Sequence, residues 1–556
     1  MIAKYKFQLA QAQLSLPLCL LGLLVGLIAS ALIILFEVSI SHAQQLLWRG
    51  AEDFKQLSQS MRIALPISGA LLIALMIHFS RAHYRRTGIA YVIHRVHQFY
   101  GRIPIGSGLN QFVTAMVALI SGFSVGREGP AVHIGAIAAT MIARYGELPD
   151  NTMKILSCCG IAAGISAIFN TPLAGVVFVL EVVLREYKMH YFLPITIAAI
   201  TAAICSRLYF GDIHRYAHLT LPDLPLIYYP LLLLFGGILG VVAAAFSSAL
   251  IKVTALSTGR FSLSQRLMAA GAITAFIGMV VPEAMGGEHH VVAMAVQLSI
   301  GWQVLALLLG AKIALTIAAI GLGIPGGLIG PMYGIGALLG GVCCLLFAPL
   351  MPSITDYLSL FTAMSMTAMM AVCLNAPIAG LLALVELTNN ATLILPFLLV
   401  TIPAFLLANL GFGTRPLFLR QLDVMQLGYR QPPVEREISK TGVIALMNSD
   451  LICVKEGLEQ DQQLSLLTAA PHSQLLMPKD GQQVLISLHN NFSDEHSPLS
   501  HKVIPGLPAR ATLAEVYQLL SVHRSGCVYI YQGSPQCPIG LINWSSLYGF
   551  IRRGEV

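Results

Sequence analysis

Charged residues are scarce in this chain of 556 residues. Only 11% are Asp, Glu, Lys or Arg and 56% are hydrophobic, whereas about a quarter of a soluble domain is charged. This balance excludes a water-soluble enzyme, a disordered chain and a disulfide scaffold. The composition therefore predicts a polytopic membrane protein, with any soluble part concealed in the average.

Several catalytic and metal-binding signatures are also absent. The ten cysteines form no C-x-x-C pair, and six lie in apolar stretches, where they are expected to be buried small hydrophobic residues. No H-E-x-x-H motif and no Walker A motif occurs. We therefore expect no enzyme activity, no metal site and no ATP-driven transport by this chain. Glu288-His289-His290 is interpreted as a solvated loop, because three adjacent residues have poor ligand geometry.

The basic residues indicate topology and not a nucleic-acid partner. The formal charge is +7, and many Lys and Arg residues stand at the ends of apolar segments. This distribution is typical of the positive-inside rule, and it predicts both termini on the cytoplasmic side. The apolar run Leu14–Phe36 is longer than the core of a signal peptide, so we expect a retained first transmembrane helix.

Charge density divides the chain into two parts. Residues 426–556 hold 21 of the 59 charged residues, about 16% of that segment, and residues 1–425 are about 9% charged. We predict a transmembrane domain over 1–425, a linker over 426–440 and a soluble cytoplasmic domain over 441–556. Many apolar segments of the first part are short and interrupted by Gly and Pro, which favours half-helices that meet inside the membrane.

An internal repeat divides the transmembrane domain into halves. The segment Asn170-Thr-Pro-Leu-Ala-Gly-Val-Val-Phe-Val-Leu-Glu181 recurs as Asn375-Ala-Pro-Ile-Ala-Gly-Leu-Leu-Ala-Leu-Val-Glu386, with five identical residue types at identical spacing. A Gly-Pro pair opens an apolar helix upstream of each copy. The halves, about 14–215 and 226–422, with their broken helices indicate a transporter or channel.

The motif Gly126-Arg127-Glu128-Gly129-Pro130 carries a candidate gate. Glu128 is the only acidic residue between positions 103 and 142, and an ionisable group at membrane depth is a functional candidate. Proline fits the first turn of a helix, whose free N–H groups attract anions. A carboxylate there can fill an anion site when charged and leave it when protonated. The alternative is a self-neutralising ion pair between Arg127 and Glu128.

The second half carries a matching, uncharged motif. It runs from Gly323 to Pro331 and includes Gly327 and Gly330, and the N–H groups of Leu328 and Ile329 can complete an anion cradle. Close helix packing through small residues is the alternative. The symmetric relation to the first motif favours the anion cradle.

These motifs together resemble the CLC family of chloride channels and chloride/proton exchangers, over nearly all of 14–422. The resemblance implies an all-α polytopic membrane protein with two inverted-topology repeats of broken and tilted helices. It implies a homodimer with an anion pathway in each subunit, embedded in the lipid bilayer of a bacterial inner membrane. Glu128 matches the family's external gating glutamate, and the amides of Leu328 and Ile329 match its central anion donors.

The family's anion-coordinating serine has two candidate matches. Gly106-Ser107-Gly108 has the right residue types but lies too near Glu128, whereas the family spacing selects Thr87, followed by Gly88 and Ile89. The spacing favours Thr87, whose hydroxyl can donate.

Two departures from the family bear on mechanism. Val182 occupies the position of the inner, proton-passing glutamate of the exchangers, and Phe418 replaces the pore tyrosine. The first favours uncoupled, channel-like chloride conduction, and the second predicts weaker or less selective anion binding. A chloride/proton antiporter with another proton route, a fluoride-selective relative and a membrane-anchored nucleotide sensor stay as alternatives.

The cytoplasmic domain resembles a pair of cystathionine-β-synthase-type (CBS) repeats. Residues 510–553 fit one repeat, with strands at 527–531 and 539–542 between two helices, and residues 441–490 resemble a degenerate partner. The resemblance implies a small α+β domain. An adenine nucleotide is the one cofactor it suggests, and a dimerisation or stability role is the alternative.

Overall fold

The structure is a computed structural model, and it describes residues 9–11, 15–48, 54–146, 148–211, 221–222, 224–429, 433–454, 458–469, 474–479, 482–488 and 499–553. The chain divides into two compact units. The larger comprises residues 19–142 and 155–429, and the smaller comprises residues 1–18, 143–154 and 430–556. The sequence did not predict that the N-terminal segment and residues 143–154 group with the C-terminal residues. The predicted positions of the two termini fall outside the described residues.

Long apolar helices build the larger unit. Within the described ranges, ten helices are long and apolar enough to cross a membrane, so the chain is a multi-pass membrane protein. The helices of the first half are α1 (Leu16–Trp48), α2 (Gln59–Phe79), α3 (Gly88–Gln98), α4 (Ile105–Ile120), α5 (Glu128–Gly146), α6 (Asp150–Phe169), α7 (Pro172–Phe178) and α8 (Met189–Phe210).

The second half follows a similar order. Its helices are α9 (Tyr229–Arg260), α10 (Leu263–Val280), α11 (His289–Ala295), α12 (Trp302–Leu322), α13 (Ile329–Phe347), α14 (Leu358–Leu374), α15 (Pro377–Thr388), α16 (Ile394–Leu406) and α17 (Leu417–Val424). The short helices α7 and α15 carry the repeated motif, as expected for broken helices.

The Asn-x-Pro motif explains where these helices break. Asn170 follows α6 and Asn375 follows α14, and both adopt left-handed backbone, with φ of 58° and 60°. Asparagine tolerates this conformation and commonly ends a helix. Pro172 and Pro377 then open α7 and α15, where a missing N–H costs nothing. The same short sequence thus stops one helix and starts the next in both halves.

Small residues let helices approach closely in symmetry-related places. A Cβ at Gly26 of α1 would lie 2.7 Å from the carbonyl oxygen of Ala198 in α8. A Cβ at Gly240 of α9 would lie 2.6 Å from the carbonyl oxygen of Ala404 in α16. Gly22 and Gly236, four residues earlier in the same helices, approach α8 and α16 in the same way, and glycines four residues apart are typical of such membrane interfaces. The repeat is therefore present in the packing as well as in the motifs.

The smaller unit contains two sheets. Strands β1 (Leu451–Cys453), β2 (Gln474–Lys479), β3 (Gln482–Leu488) and β4 (Leu499–Val503) pair in that order. Strands β5 (Gly506–Pro508), β6 (Cys527–Tyr531) and β7 (Pro538–Asn543) form the second sheet. The helices are α18 (Pro433–Ile438), α19 (Gln460–Ala469), α20 (Leu513–Leu520) and α21 (Trp544–Arg553).

The α+β character of the C-terminal region agrees with the sequence prediction, with two local differences. The order β5, α20, β6, β7, α21 has the predicted helix–strand–strand–helix pattern. The segment 426–440, predicted as a linker, contains the short helix α18. Residues 443–445, in the predicted degenerate repeat, form a single 3₁₀ turn.

Candidate functional site

The two glycine-rich motifs meet at the starts of α5 and α13. Gly126 donates its N–H to the carbonyl oxygen of Gly327 at 2.8 Å, and Gly327 donates to that of Gly126 at 2.7 Å. A Cβ at Gly129 would lie 2.6 Å from the carbonyl oxygen of Gly326, so only glycine allows this approach. The sequence predicted that the motifs cooperate, and the structure brings them into direct contact.

Both helices place a proline in the first turn. Pro130 is the third residue of α5 and Pro331 is the third residue of α13, and both are buried. An N–H at that position has no partner within its own helix, so proline leaves the helix intact. The remaining N–H groups and the helix dipoles of two helices therefore converge on one place, which favours a negative charge.

The carboxylate of Glu128 occupies this place. Glu128 is fully buried, and its Oε1 accepts a hydrogen bond from the N–H of Ile329. Its Oε2 has no hydrogen-bond partner among the described residues. A Cβ at Gly126 or Gly327 would collide with this carboxylate. The glutamate of one half thus sits on an amide of the other half, as an anion would.

Arg127 does not neutralise Glu128. Its guanidinium donates to Oε2 of Glu37 at 2.5 Å, and both side chains are mostly buried. The hydrogen bonds of Glu128 do not include Arg127. The self-neutralising pair considered from the sequence is therefore wrong. Glu37 was not predicted from the sequence. It is the only Asp, Glu, Lys or Arg in α1, and a lone charge in an apolar helix indicates a functional or paired residue.

A cavity of about 330 Å³ ends at the second motif. Thr87, Gly88 and Ile89 line it, together with Leu328 and Phe418. Gly88 has φ of +88°, which glycine adopts without strain. Three separate stretches singled out in the sequence therefore share one cavity.

Thr87 and Ser107, the two candidates for the anion-coordinating hydroxyl, lie in different surroundings. Thr87 lies at the start of α3 and lines the cavity. Ser107 is fully buried in α4, where it donates to the carbonyl oxygen of Pro104 at 2.7 Å and lies 3.0 Å from Nε2 of His133. Ser107 does not line the cavity, so its hydroxyl serves helix packing.

Arginine gives this cavity its charge. Arg85, Arg86 and Arg266 are among the lining residues, and no Asp or Glu is among the described residues that line it. Arg266 donates to the hydroxyl of Thr258, which also lines the cavity, at 3.0 Å. An arginine-rich, acid-free cavity raises the local concentration of anions. From the sequence, Arg85 and Arg86 indicated only topology, and Arg266 was not predicted to take part.

The glutamates of the repeated motif cap helices of the opposite half. Glu386 accepts from the N–H groups of Leu173 and Ala174 at 2.9 and 2.8 Å. Glu181 accepts from Ile378 and Ala379 at 3.3 and 2.8 Å. Each carboxylate therefore satisfies the free N–H groups of the other half's broken helix.

Val182 follows Glu181 and is buried. Its side chain can carry no proton.

The expectation of a solvated Glu288-His289-His290 loop is wrong for Glu288. Its exposed fraction is 5%, and a Cβ at Gly330 would lie 2.6 Å from its Oε2. His289 and His290 begin α11. Glu288 is buried because α11 packs its preceding turn against α13, which the sequence could not indicate.

Comparison with known proteins identifies the family of this chain. The family described as "Voltage gated chloride channel" matches residues 69–409. A putative chloride channel protein ClcB-like of Ralstonia nicotianae is 28% identical over 65% of this chain and 85% of its own length. The H(+)/Cl(-) exchange transporter ClcA of Vibrio vulnificus is 30% identical over 56% of this chain and 68% of its own length.

A solved structure shares the fold. It is that of a slow cyanobacterial Cl⁻/H⁺ antiporter, with a TM-score of 0.66 and 22% identity over 74% of this chain and 99% of its own. The matched family region includes the paired glycine motifs, Glu128 and both copies of the Asn-x-Pro motif. This chain therefore belongs to the voltage-gated chloride channel (CLC) family.

Proposed function

We propose that this protein transports chloride across the membrane through a pathway gated by protonation of Glu128. The observation that carries the proposal is the position of the Glu128 carboxylate on the Ile329 amide, behind a cavity that three arginines line. Chloride arriving through the cavity competes with the carboxylate for the same helix N-termini. Protonation removes the charge of Glu128 and leaves the site to chloride.

We favour uncoupled, channel-like conduction, because Val182 stands at the position of the exchangers' inner, proton-passing glutamate and can carry no proton. The alternative is chloride/proton antiport by another proton route, which the exchange transporters among the relatives support. A fluoride-selective transporter is a further alternative. Thr87 and the intact Gly129-Pro130 pair favour chloride.

Chloride flux decides among these functions. Purified protein is reconstituted into liposomes with a chloride gradient, and chloride efflux and internal pH are recorded together. Chloride efflux without proton movement supports the channel. Uphill proton movement contradicts uncoupled conduction and supports antiport, and faster fluoride efflux in competition supports the fluoride transporter. Absence of any anion flux overturns the proposal, and nucleotide binding by the same protein would then favour a membrane-anchored sensor.

We further propose a homodimer in a bacterial inner membrane, with a CBS-type domain at 441–556. The support for this domain is the β5–α20–β6–β7–α21 order, which has the length and pattern of one repeat. Titration of the full-length protein with ATP, followed by thermal unfolding, tests the nucleotide. A rise in unfolding temperature supports binding, and an unchanged temperature favours a purely structural domain.

A further inference from the structure

A second buried carboxylate reaches the turn on which Glu128 rests. Glu128 accepts from the N–H of Ile329, and Oε2 of Glu288 lies 2.6 Å from the Cβ position of the next residue, Gly330. The same Cβ position lies 3.4 Å from Cα of Gly126. Glycine at 330 therefore keeps open the space into which Glu288 points, beside the first motif.

The backbone before Glu288 is held by a buried lysine. Nζ of Lys312, in α12, donates to the carbonyl oxygens of Gly286 and Gly287 at 2.7 Å each and to that of Ala284 at 3.2 Å. Lys312 is fully buried and is the only Asp, Glu, Lys or Arg in its helix. A buried ammonium requires such partners. Lys312 thus fixes the turn that presents Glu288, and it is a positioning residue.

A histidine links Glu288 to more exposed surroundings. Nδ1 of His289 lies 3.2 Å from Oε1 of Glu288, and the exposed fractions of the two side chains are 39% and 6%. Exposure therefore falls from His289 through Glu288 to the fully buried Glu128. Histidine exchanges protons with water near neutral pH.

The two carboxylates share an environment with few other charges. They interact electrostatically with each other and with the hydroxyl of Tyr333 on α13. Lys312 lies on α12 and His289 on α11, whereas α14 contributes no Asp, Glu, His, Lys or Arg. Glu283, in the turn before α11, pairs with Lys55 at 3.1 Å. Oε2 of Glu128 is buried and has no hydrogen-bond partner among the described residues. This oxygen can therefore accept a proton from a neighbouring group.

We propose that Glu288 is the group that delivers protons to Glu128, and that His289 connects Glu288 to the aqueous solution. This inference rests on the proposed function. The His289 imidazolium gives its Nδ1 proton to the Glu288 carboxylate, and the resulting carboxylic acid passes a proton to the Glu128 carboxylate. Glu288 is ionised again, Glu128 becomes neutral, and no bond other than O–H and N–H changes. The relay serves gating by pH in a channel and proton uptake in an exchanger.

The test is the pH profile of chloride efflux from liposomes. Glu288→Gln removes the relay group and also the negative neighbour that favours protonation of Glu128. We expect half-activation to need about tenfold more protons, a shift of about one pH unit. His289→Ala is expected to shift the profile in the same direction, by less. His290→Ala, next to His289, and Glu283→Gln, in the preceding turn and paired with Lys55, are the controls, and we expect wild-type profiles for both.

Unchanged profiles for Glu288→Gln and His289→Ala would overturn the relay. Size-exclusion chromatography checks that the Glu288→Gln protein is folded. If the Glu288→Gln protein is not folded, the test uses His289→Ala and Glu288→Asp, whose side chain is shorter. Wild-type pH profiles for both of these variants contradict the inference. Failure of the proposed function is distinguishable, because the wild-type protein would then show no chloride flux at any pH.

Discussion

The substitution Glu128→Gln tests the gate most directly. Glutamine retains the shape of the side chain and an oxygen that can accept from the N–H of Ile329. It removes the negative charge from the meeting point of α5 and α13, where two helix dipoles favour that charge. The variant therefore mimics the protonated state of Glu128 permanently.

The magnitude follows from the hydrogen bond. A bond to a charged acceptor contributes about 1.5–3 kcal/mol and one between neutral groups about 0.5–1.5 kcal/mol. The difference, about 1–1.5 kcal/mol, corresponds to roughly tenfold in the equilibrium between chloride and the side chain. We expect chloride efflux at neutral pH to rise about tenfold and to become independent of pH.

Chloride efflux from liposomes, measured across the acid-to-neutral range, is the assay. Glu283→Gln is the control, because Glu283 lies outside the paired motifs and pairs with Lys55 at 3.1 Å. Wild-type pH dependence in Glu128→Gln would refute the gating role of Glu128. Loss of all efflux in a folded Glu128→Gln protein would refute competition between the carboxylate and chloride.

Three further substitutions probe the surroundings of the gate. Glu37→Gln leaves the mostly buried Arg127 without its carboxylate and should lower unfolding stability by up to about 3 kcal/mol, read as a lower unfolding temperature in detergent; an unchanged temperature contradicts the importance of this pair. Thr87→Val should weaken chloride binding several-fold in calorimetry, because one hydrogen bond worth about 1 kcal/mol is lost. Thr87→Ser retains the hydroxyl and should bind chloride as the wild-type protein does. An equal loss of binding in Ser107→Ala would contradict the assignment to Thr87. Glu386→Gln should destabilise the protein by about 1–3 kcal/mol in thermal unfolding, because two N–H groups of α7 lose a charged acceptor, and a neutral result would show that water replaces the cap.

The similarity of the halves was accessible from the sequence because it resides in local rules. The Asn-x-Pro spacing encodes a left-handed residue followed by a helix start, and these requirements act within a few residues. The paired Gly-Pro motifs encode helix N-termini in the same way. The fold class followed from them, as the match to the family confirms.

The roles of Glu181 and Glu386 were not accessible from the sequence. Each caps a helix about 200 residues away in the chain, and nothing in the local pattern indicates the acceptor. The same holds for Arg85 and Arg86, whose position near the end of an apolar helix suggested topology. Tertiary packing brings them into the same cavity as Leu328, far away in the chain.

The sequence alone determined a membrane protein with few charges, two related halves and one conspicuous acid, Glu128. Those properties depend on composition and short-range spacing. Only the tertiary structure decided which charges meet: Arg127 with Glu37 and not with Glu128, and Glu288 beside Gly330 and not in solvent. The physical reason is that a charge within the membrane must be matched by a partner from another helix, and helix packing chooses that partner.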